Sequence, residues 1–331
     1  MTAADLKNLM SKPGMTVAEL KDLLGRKGMT VELLKDLMGR PGMTVAELKD
    51  LLGRPGMTVE ELKGLLDKPG VTIPLLKDLL GRPGMTVQEL KDLLNKPGMT
   101  AADLKDLLDI PKMTLAQLKK LMSITDSVAQ LKGFFTRIDD PIELERLINS
   151  AGIGATPGPD ALRLERALNS MPAGKQPIPA IEAALEAQKK IDKKILVGEQ
   201  VGTKAGTADF RTIRGGHSPS ILSDPQFTII SRASNADGTT VVKFQKQVAP
   251  GPPPILSKTK TSTLAPSSWS DNDILRAGDE VAKEPPVLTR ATDGATLHRK
   301  IVNGVQWEVI KDSTGKVTSS YPTGGVPTTT F

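Results

Sequence analysis

Only two histidines occur in the chain, His217 and His298, and there is no cysteine. A thiol nucleophile and a disulfide framework are thereby excluded, and no cluster of residues has the spacing of a metal site. An imidazole titrates near neutrality, so each histidine is a candidate for moving a proton. His217 stands in "RGGHSPSIL" (Arg214 to Leu222), a loop in which it follows Gly215 and Gly216. Near the end, "KVTSSYP" places Ser319 and Tyr321 two residues apart on an expected strand, so the hydroxyl and the ring leave one face. That spacing suits a substrate contact and an ordinary sheet edge equally well. If Asn303-Gly304 makes a two-residue turn, His298 in "TLHRKIV" shares a face with Val302, Val305, Trp307 and Val309. Packing accounts for such a histidine more readily than catalysis.

The elements around these residues read as strands. "FTIISR" and "TTVVKFQKQV" flank a turn at Asp237-Gly238, and a Pro-rich loop follows at Pro250 to Pro254. Ser270 with Asp273 caps one helix, "DNDILRAGDEVAK". "TLHRKIV", "VQWEVIKD" and "KVTSSYP" then form a three-stranded meander. The shift to Thr, Ser, Val and Gly marks a domain over 198–331, with a small basic excess. Before it, residues 126–197 form a helical connector of three phrases, "PIELERLINSAG", "PDALRLERALNSM" behind Pro159, and "AIEAALEAQKKIDKKIL" behind Pro177 to Pro179. In the last phrase Ile181, Leu185, Ile191 and Ile195 share a face, and no chemistry is legible in the connector.

Residues 1–125 are an array. Met-Thr pairs recur every fourteen residues from Met1 to Met113, with Val71-Thr72 filling the one gap, and "DSVAQLKGFF" is a degenerate further unit. In one unit Thr16 is the helix N-cap and Glu19 its reciprocal partner, while Met15 and Leu20 have the spacing of a hydrophobic staple. Val17, Leu20, Leu23 and Leu24 make an apolar stripe, and Gly25 supplies a left-handed stop. A helix of two turns is marginal alone, so each stripe must be buried. Neighbouring units can bury it, as in a solenoid, or a carrier surface can. "MTVAELKDLL" is similar to the first helix of SAP-type DNA-binding motifs but lacks their second helix and basic loop.

Aromatics make up 3 % of the 331 residues and the formal net charge is +6, which favours an acidic partner. No apolar run is long enough to span a membrane, and the N-terminus lacks the blocks of a signal peptide. The expectation is a product made in the cytoplasm and exported, if at all, by a separate secretion or injection system.

Three C-terminal segments, "RGGHSPSIL", "KTSTLAPSSWSDNDILRAG" and "NGVQWEVIKDSTGKVTSSYP", resemble in type and order the bacterial EndoU-type toxin nucleases. The resemblance covers about residues 214–322. It implies an α+β barnase/EndoU-like domain that cleaves RNA by attack of a 2′-hydroxyl, leaving a 2′,3′-cyclic phosphate, with no cofactor. It also implies catalytic roles for His217, Lys260, Ser319 and Tyr321, with His298 as a possible second acid or base. Gly215, Gly216 and Thr318 are expected to touch substrate, the glycines by allowing close approach of a phosphate. Lys258, Lys243 and Lys246 stand behind Lys260, because the family's lysine position holds Thr261. Many members carry a second histidine close to the first, and this chain does not. The implied protein is a modular effector whose array docks on delivery machinery and whose producer holds an acidic immunity protein. The alternative is a structural or adapter repeat protein with an inert nuclease-like domain.

Overall fold

In a computed structural model, which describes residues 2–152, 161–202 and 210–331, the chain forms two compact units, Met1–Arg146 and Leu147–Phe331. Pro159, the expected start of the second connector phrase, lies outside the described residues.

The first unit is built from the repeated phrase. Its helices are α1 Ala3–Met10, α2 Val17–Leu24, α3 Val31–Gly39, α4 Val45–Leu52, α5 Val59–Leu66 and α6 Ile73–Leu80. They continue as α7 Val87–Leu94, α8 Ala101–Leu108, α9 Leu115–Ile124 and α10 Val128–Phe135, and α11 Pro141–Ser150 runs across the division. The cap threonines act as expected: Thr16 Oγ1 accepts the Glu19 amide, and Thr44, Thr58 and Thr86 repeat the bond. Ser127 does the same for α10, so the degenerate unit folds like the rest.

Two details of the expected unit are corrected. Glu19 does not reach back to its cap. Its carboxylate lies 2.7 Å from Lys49, two units on, where an ion pair replaces the local bond. Nor is Gly25 left-handed: its φ is −75°, and the positive φ of +84° belongs to Gly28. The Met29 amide bonds to the Arg26 carbonyl, so Arg26–Met29 is a β-turn whose third residue needs φ above zero. In most units Pro presets the second residue of that turn.

The contact pattern has a step of two units. Lys35 pairs with Asp5 at 2.6 Å, Lys77 with Glu47 at 2.8 Å and Lys91 with Glu61 at 2.5 Å. Arginines from the turns run the other way. Arg26, Arg40 and Arg54 donate through Nη1 to the carbonyls of Leu52, Leu66 and Leu80, the last residues of α4, α5 and α6. Those carbonyls have no partner within their own helix, and a cation there suits the helix dipole. Leu34, Leu48, Leu62, Leu76 and Leu90 are fully buried by this stacking. Contact with neighbours thus supplies what a two-turn helix lacks.

The second unit holds α12 Ala161–Asn169, α13 Ile178–Val197, β1 Glu199–Gln200, β2 Ile213–Arg214 and a 3₁₀ turn at Pro219–Leu222. One sheet follows, from β3 Phe227–Ser234, β4 Thr240–Ala249, β5 Ile255–Leu256 and β6 Lys260–Leu264, with β4 central. After α14 Asp271–Val281 come β7 Pro286–Thr289, β8 Thr296–Val302, β9 Val305–Lys311 and β10 Val317–Pro322, in the order β10-β9-β8-β7. The expected hairpins are present. Asn303 and Gly304 turn β8 into β9 with φ of 47° and 82°, as a two-residue turn requires. The Lys/Thr-rich segment adds a strand that its composition does not announce.

Helices α12 and α13, read from sequence as connector, share one core with α14 and the second sheet. Leu162, Ile195 and Leu196 join Ile274, Leu275, Val281, Val302 and Trp307 in a single buried cluster. A polar seam runs beside it. Buried Asp192 of α13 receives Arg163 and Arg166 of α12, each at 2.6 Å, and Arg166 lies 2.9 Å from Asp279 of α14. A buried carboxylate is tolerable only when so fully partnered.

Candidate functional site

The last carbonyls of a helix lack internal partners. In α13 they are taken by the loop that carries the first histidine. Lys194 O accepts the Gly216 amide at 3.0 Å, Ile195 O the His217 amide at 2.9 Å and Leu196 O the Ser218 amide at 2.9 Å. The two glycines make this docking possible. Both have positive φ, and a Cβ on Gly215 would lie 1.8 Å from the Lys194 carbonyl oxygen. So the close approach that Gly-Gly permits here is to a helix end, and the Gly216 amide is held by the Lys194 carbonyl.

The His217 ring is fixed from β6. Its Nδ1 lies 2.9 Å from the Thr263 carbonyl oxygen, which can only accept, so this nitrogen carries the hydrogen. In the neutral ring Nε2 then bears the lone pair. Ser262 Oγ donates to Gly216 O at 2.7 Å and stands 3.2 Å from Nδ1. Lys260 precedes Ser262 by two residues on β6 and so projects from the same face. Burial lowers the His217 pKa to about 4; the Thr263 bond opposes this, and the nearby Lys260 charge adds to it. Lys260 is itself held below the usual lysine range by burial. A neutral imidazole beside a partly desolvated cation can accept a proton and stabilise an anion in one step.

Strand β10 closes the other side. The Tyr321 ring centroid is 5.8 Å from that of His217, and its hydroxyl is 3.4 Å from Thr328 Oγ1. Burial raises the Tyr321 pKa, so it stays protonated. Ser319 pairs with Ile310 and Tyr321 with Glu308, which places both on the face expected from their spacing. Thr318 sits beside a bulge, its hydroxyl bonded to Ile310 O at 3.2 Å and its carbonyl accepting Lys194 Nζ at 2.9 Å.

His298 lies apart. It pairs with Val309, which pairs with Ser320, so its side chain shares the α14 face and not the Tyr321 face. Nδ1 is 2.6 Å from Glu284 O and Nε2 is 2.9 Å from Thr296 Oγ1. Both ring nitrogens are occupied, and the imidazole is buried. The reserve lysines are placed elsewhere too. Lys246 Nζ lies 3.0 Å from both Val197 O and Gly198 O, closing the end of α13, and Lys243 is exposed.

Sequence reasoning missed Lys194, Ser262 and Thr263, which hold the site without being chemically conspicuous. It also missed buried Glu308, which is bound by Arg299 at 2.7 Å and accepts the Thr328 amide at 2.9 Å on the Tyr321 side of the sheet. The pairing "Arg…Glu" across an Asn-Gly hairpin was the available signal for the last. Among the described residues no three His, Cys, Asp or Glu side chains converge as a metal site, and no helix is long and apolar enough to cross a membrane.

No curated protein and no solved structure matches the chain. The match that exists begins inside α13, where the His217 loop is anchored, and ends just past β10. Residues 188–324, in the C-terminal region of the chain, fit the family model described as Bacterial EndoU nuclease.

Proposed function

We propose that the C-terminal unit is a metal-independent endoribonuclease of barnase/EndoU-like build and the working part of a bacterial toxin. The observation that carries this reading is the His217 ring, locked through Nδ1 to Thr263, beside Lys260 and facing Tyr321. His217 Nε2 takes the proton of a ribose 2′-hydroxyl as its oxygen bonds to the adjacent phosphorus. The bond from phosphorus to the 5′-oxygen breaks, and Lys260 supplies that oxygen with a proton. Lys260 and the Ser319 hydroxyl hold the charged phosphorane oxygens, and the Tyr321 ring packs on a base or sugar. A 2′,3′-cyclic phosphate remains. Thr318 contributes backbone placement rather than a free hydroxyl.

The full chain should cleave RNA in EDTA and leave cyclic phosphate ends. His217→Ala should lower the rate by about 10²–10⁴-fold. A requirement for a divalent metal, or activity surviving this substitution, would overturn the mechanism. The wider reading adds export to a target cell, docking through the array on a delivery carrier, and an acidic immunity protein in the producer. Complex formation with that partner should weaken as salt rises. Expression of the active chain without harm to its host would remove the need for it.

A second reading, an inert nuclease-like domain in an adapter, draws on the single histidine at the site, since His298 is on the other face. Absence of RNA cleavage by the intact chain would favour it.

A further inference from the structure

Arg299, Glu308 and Tyr321 form a row across β8, β9 and β10, each the cross-strand partner of the next, on the face turned away from α14. Glu308 is fully buried in that row, and the chain that returns after β10 helps to hold it. Thr323 anchors the return, its amide bonded to Gln306 O at 2.9 Å and its hydroxyl to Gln306 Oε1 at 2.9 Å. Gly324 follows with a φ of +64°, and a Cβ there would stand 2.6 Å from Asn235 Nδ2 and 3.4 Å from Thr263 Cγ2. The return therefore passes the residue whose carbonyl fixes His217. Thr328 then meets the row. Its amide donates to Glu308 Oε1 at 2.9 Å and its hydroxyl to Oε2 at 2.5 Å, while its carbonyl accepts Arg299 Nη2 at 2.5 Å.

These bonds decide which way the Tyr321 proton points. A carboxylate paired with Arg299 only accepts, so the Thr328 hydroxyl hydrogen is committed to Glu308. The Thr328 oxygen is left to accept, and the Tyr321 hydroxyl 3.4 Å away is the donor. Burial raises the Tyr321 pKa and the Glu308 charge adds to this, which keeps the proton on the phenol. We propose that Thr328, held by Glu308 and Arg299, is a positioning residue that directs the Tyr321 hydrogen into the protein, so that Tyr321 offers the substrate a fixed ring and gives it no proton. This role presupposes the ribonuclease reading of the site and narrows it, since protonation of the leaving 5′-oxygen then falls to Lys260. A ring pinned at its hydroxyl end keeps one orientation beside His217.

The test uses the full chain, in which Tyr321 is the only tyrosine. The tyrosine Fermi doublet of its Raman spectrum should have the intensity ratio of a phenol that donates. Thr328→Val keeps the side-chain shape and the backbone bonds; it should move the ratio away from the donor value, and Thr328→Ser should restore it. With RNA as substrate, Thr328→Val and Tyr321→Phe should each lower kcat/KM about tenfold, the worth of one hydrogen bond. The double variant should lose no more than either single one, because both remove the same bond. A doublet that Thr328→Val leaves unmoved overturns the inference, and so do losses that add in the double variant. A fall of about 10²–10⁴-fold in Tyr321→Phe also overturns it, because that is the loss of a proton donor. If circular dichroism shows the valine variant unfolded, the Tyr321→Phe rate decides alone. A full chain that cuts no RNA removes the nuclease reading, and the doublet still decides where the proton points.

Discussion

The array and the C-terminal unit solve opposite problems. In the array the bonds that join one unit to the next but one recur at 26–30 residues, as from Arg40 to Leu66 or Lys77 to Glu47. In the C-terminal unit the site is assembled over longer and unequal distances: His217 to Thr263 spans 46 residues and Lys194 to Thr318 spans 124. A periodic contact map makes damage local and gradual. An aperiodic one makes a few positions decisive, and they need not be the reactive ones.

The largest test of this contrast is Leu48→Asp in the array. It puts a carboxylate at a fully buried position with no partner and should cost several kcal/mol, roughly the desolvation of an unpaired polar group or more. Helix content should fall by the neighbouring units, while the tryptophan transition should hold, because Trp269 and Trp307 both lie in the C-terminal unit. Loss of that transition would break the comparison. Next comes Gly215→Ala. A left-handed φ costs about 1–3 kcal/mol for a residue with Cβ, and here the added carbon meets the Lys194 carbonyl as well. RNA cleavage should drop with the His217 loop displaced, although no reactive group is touched; full activity would deny that the helix end positions the histidine.

Lys194→Met removes the bond to Thr318 O and should cost about 1.5 kcal/mol, as for a hydrogen bond to a charged group. As a positioning residue it should reduce kcat more than it raises KM, and equal loss in both would point to a direct substrate contact. Smaller still is Arg40→Ala, which uncaps α5 and should cost about 0.5–1 kcal/mol in array stability without changing cleavage. The mildest effect is on pH dependence. With His217 depressed to about 4, the unprotonated base is already present above that pH, so kcat/KM should fall on the acid side near 4 rather than near 6.5. Lys260→Gln removes a charge that disfavours imidazolium and should move that limb upward in whatever activity remains.

The same contrast explains what the sequence disclosed. Caps, stripes and turns are written within fourteen residues, so the array's helices were legible, down to Ser127 in its slipped unit. Where reading failed there, the partner lay two units off: the Glu19 carboxylate pairs with Lys49. The Asn-Gly hairpin and the Ser319–Tyr321 face were legible for the same local reason, and together they put His298 on the packed side. The role of Gly215 and Gly216 was not legible, because its cause is the carbonyl row of α13, which no spacing within the loop reveals. The resemblance supplied the candidate reactive side chains. It could not say that a helix outside the compared motifs holds one of them in place.

One consequence of the two-unit step concerns change in length. Odd-numbered helices rest on odd ones and even on even, through pairs such as Asp5 with Lys35 and Glu19 with Lys49. The array therefore has a parity. Loss or duplication of a single unit leaves every local bond satisfiable but exchanges the two rows beyond the junction, so that each downstream helix changes sides. Loss or duplication of two units restores them. Near-identical coding segments invite such slippage, and the geometry would tolerate it in doubles while marking each single step as a reversal of face.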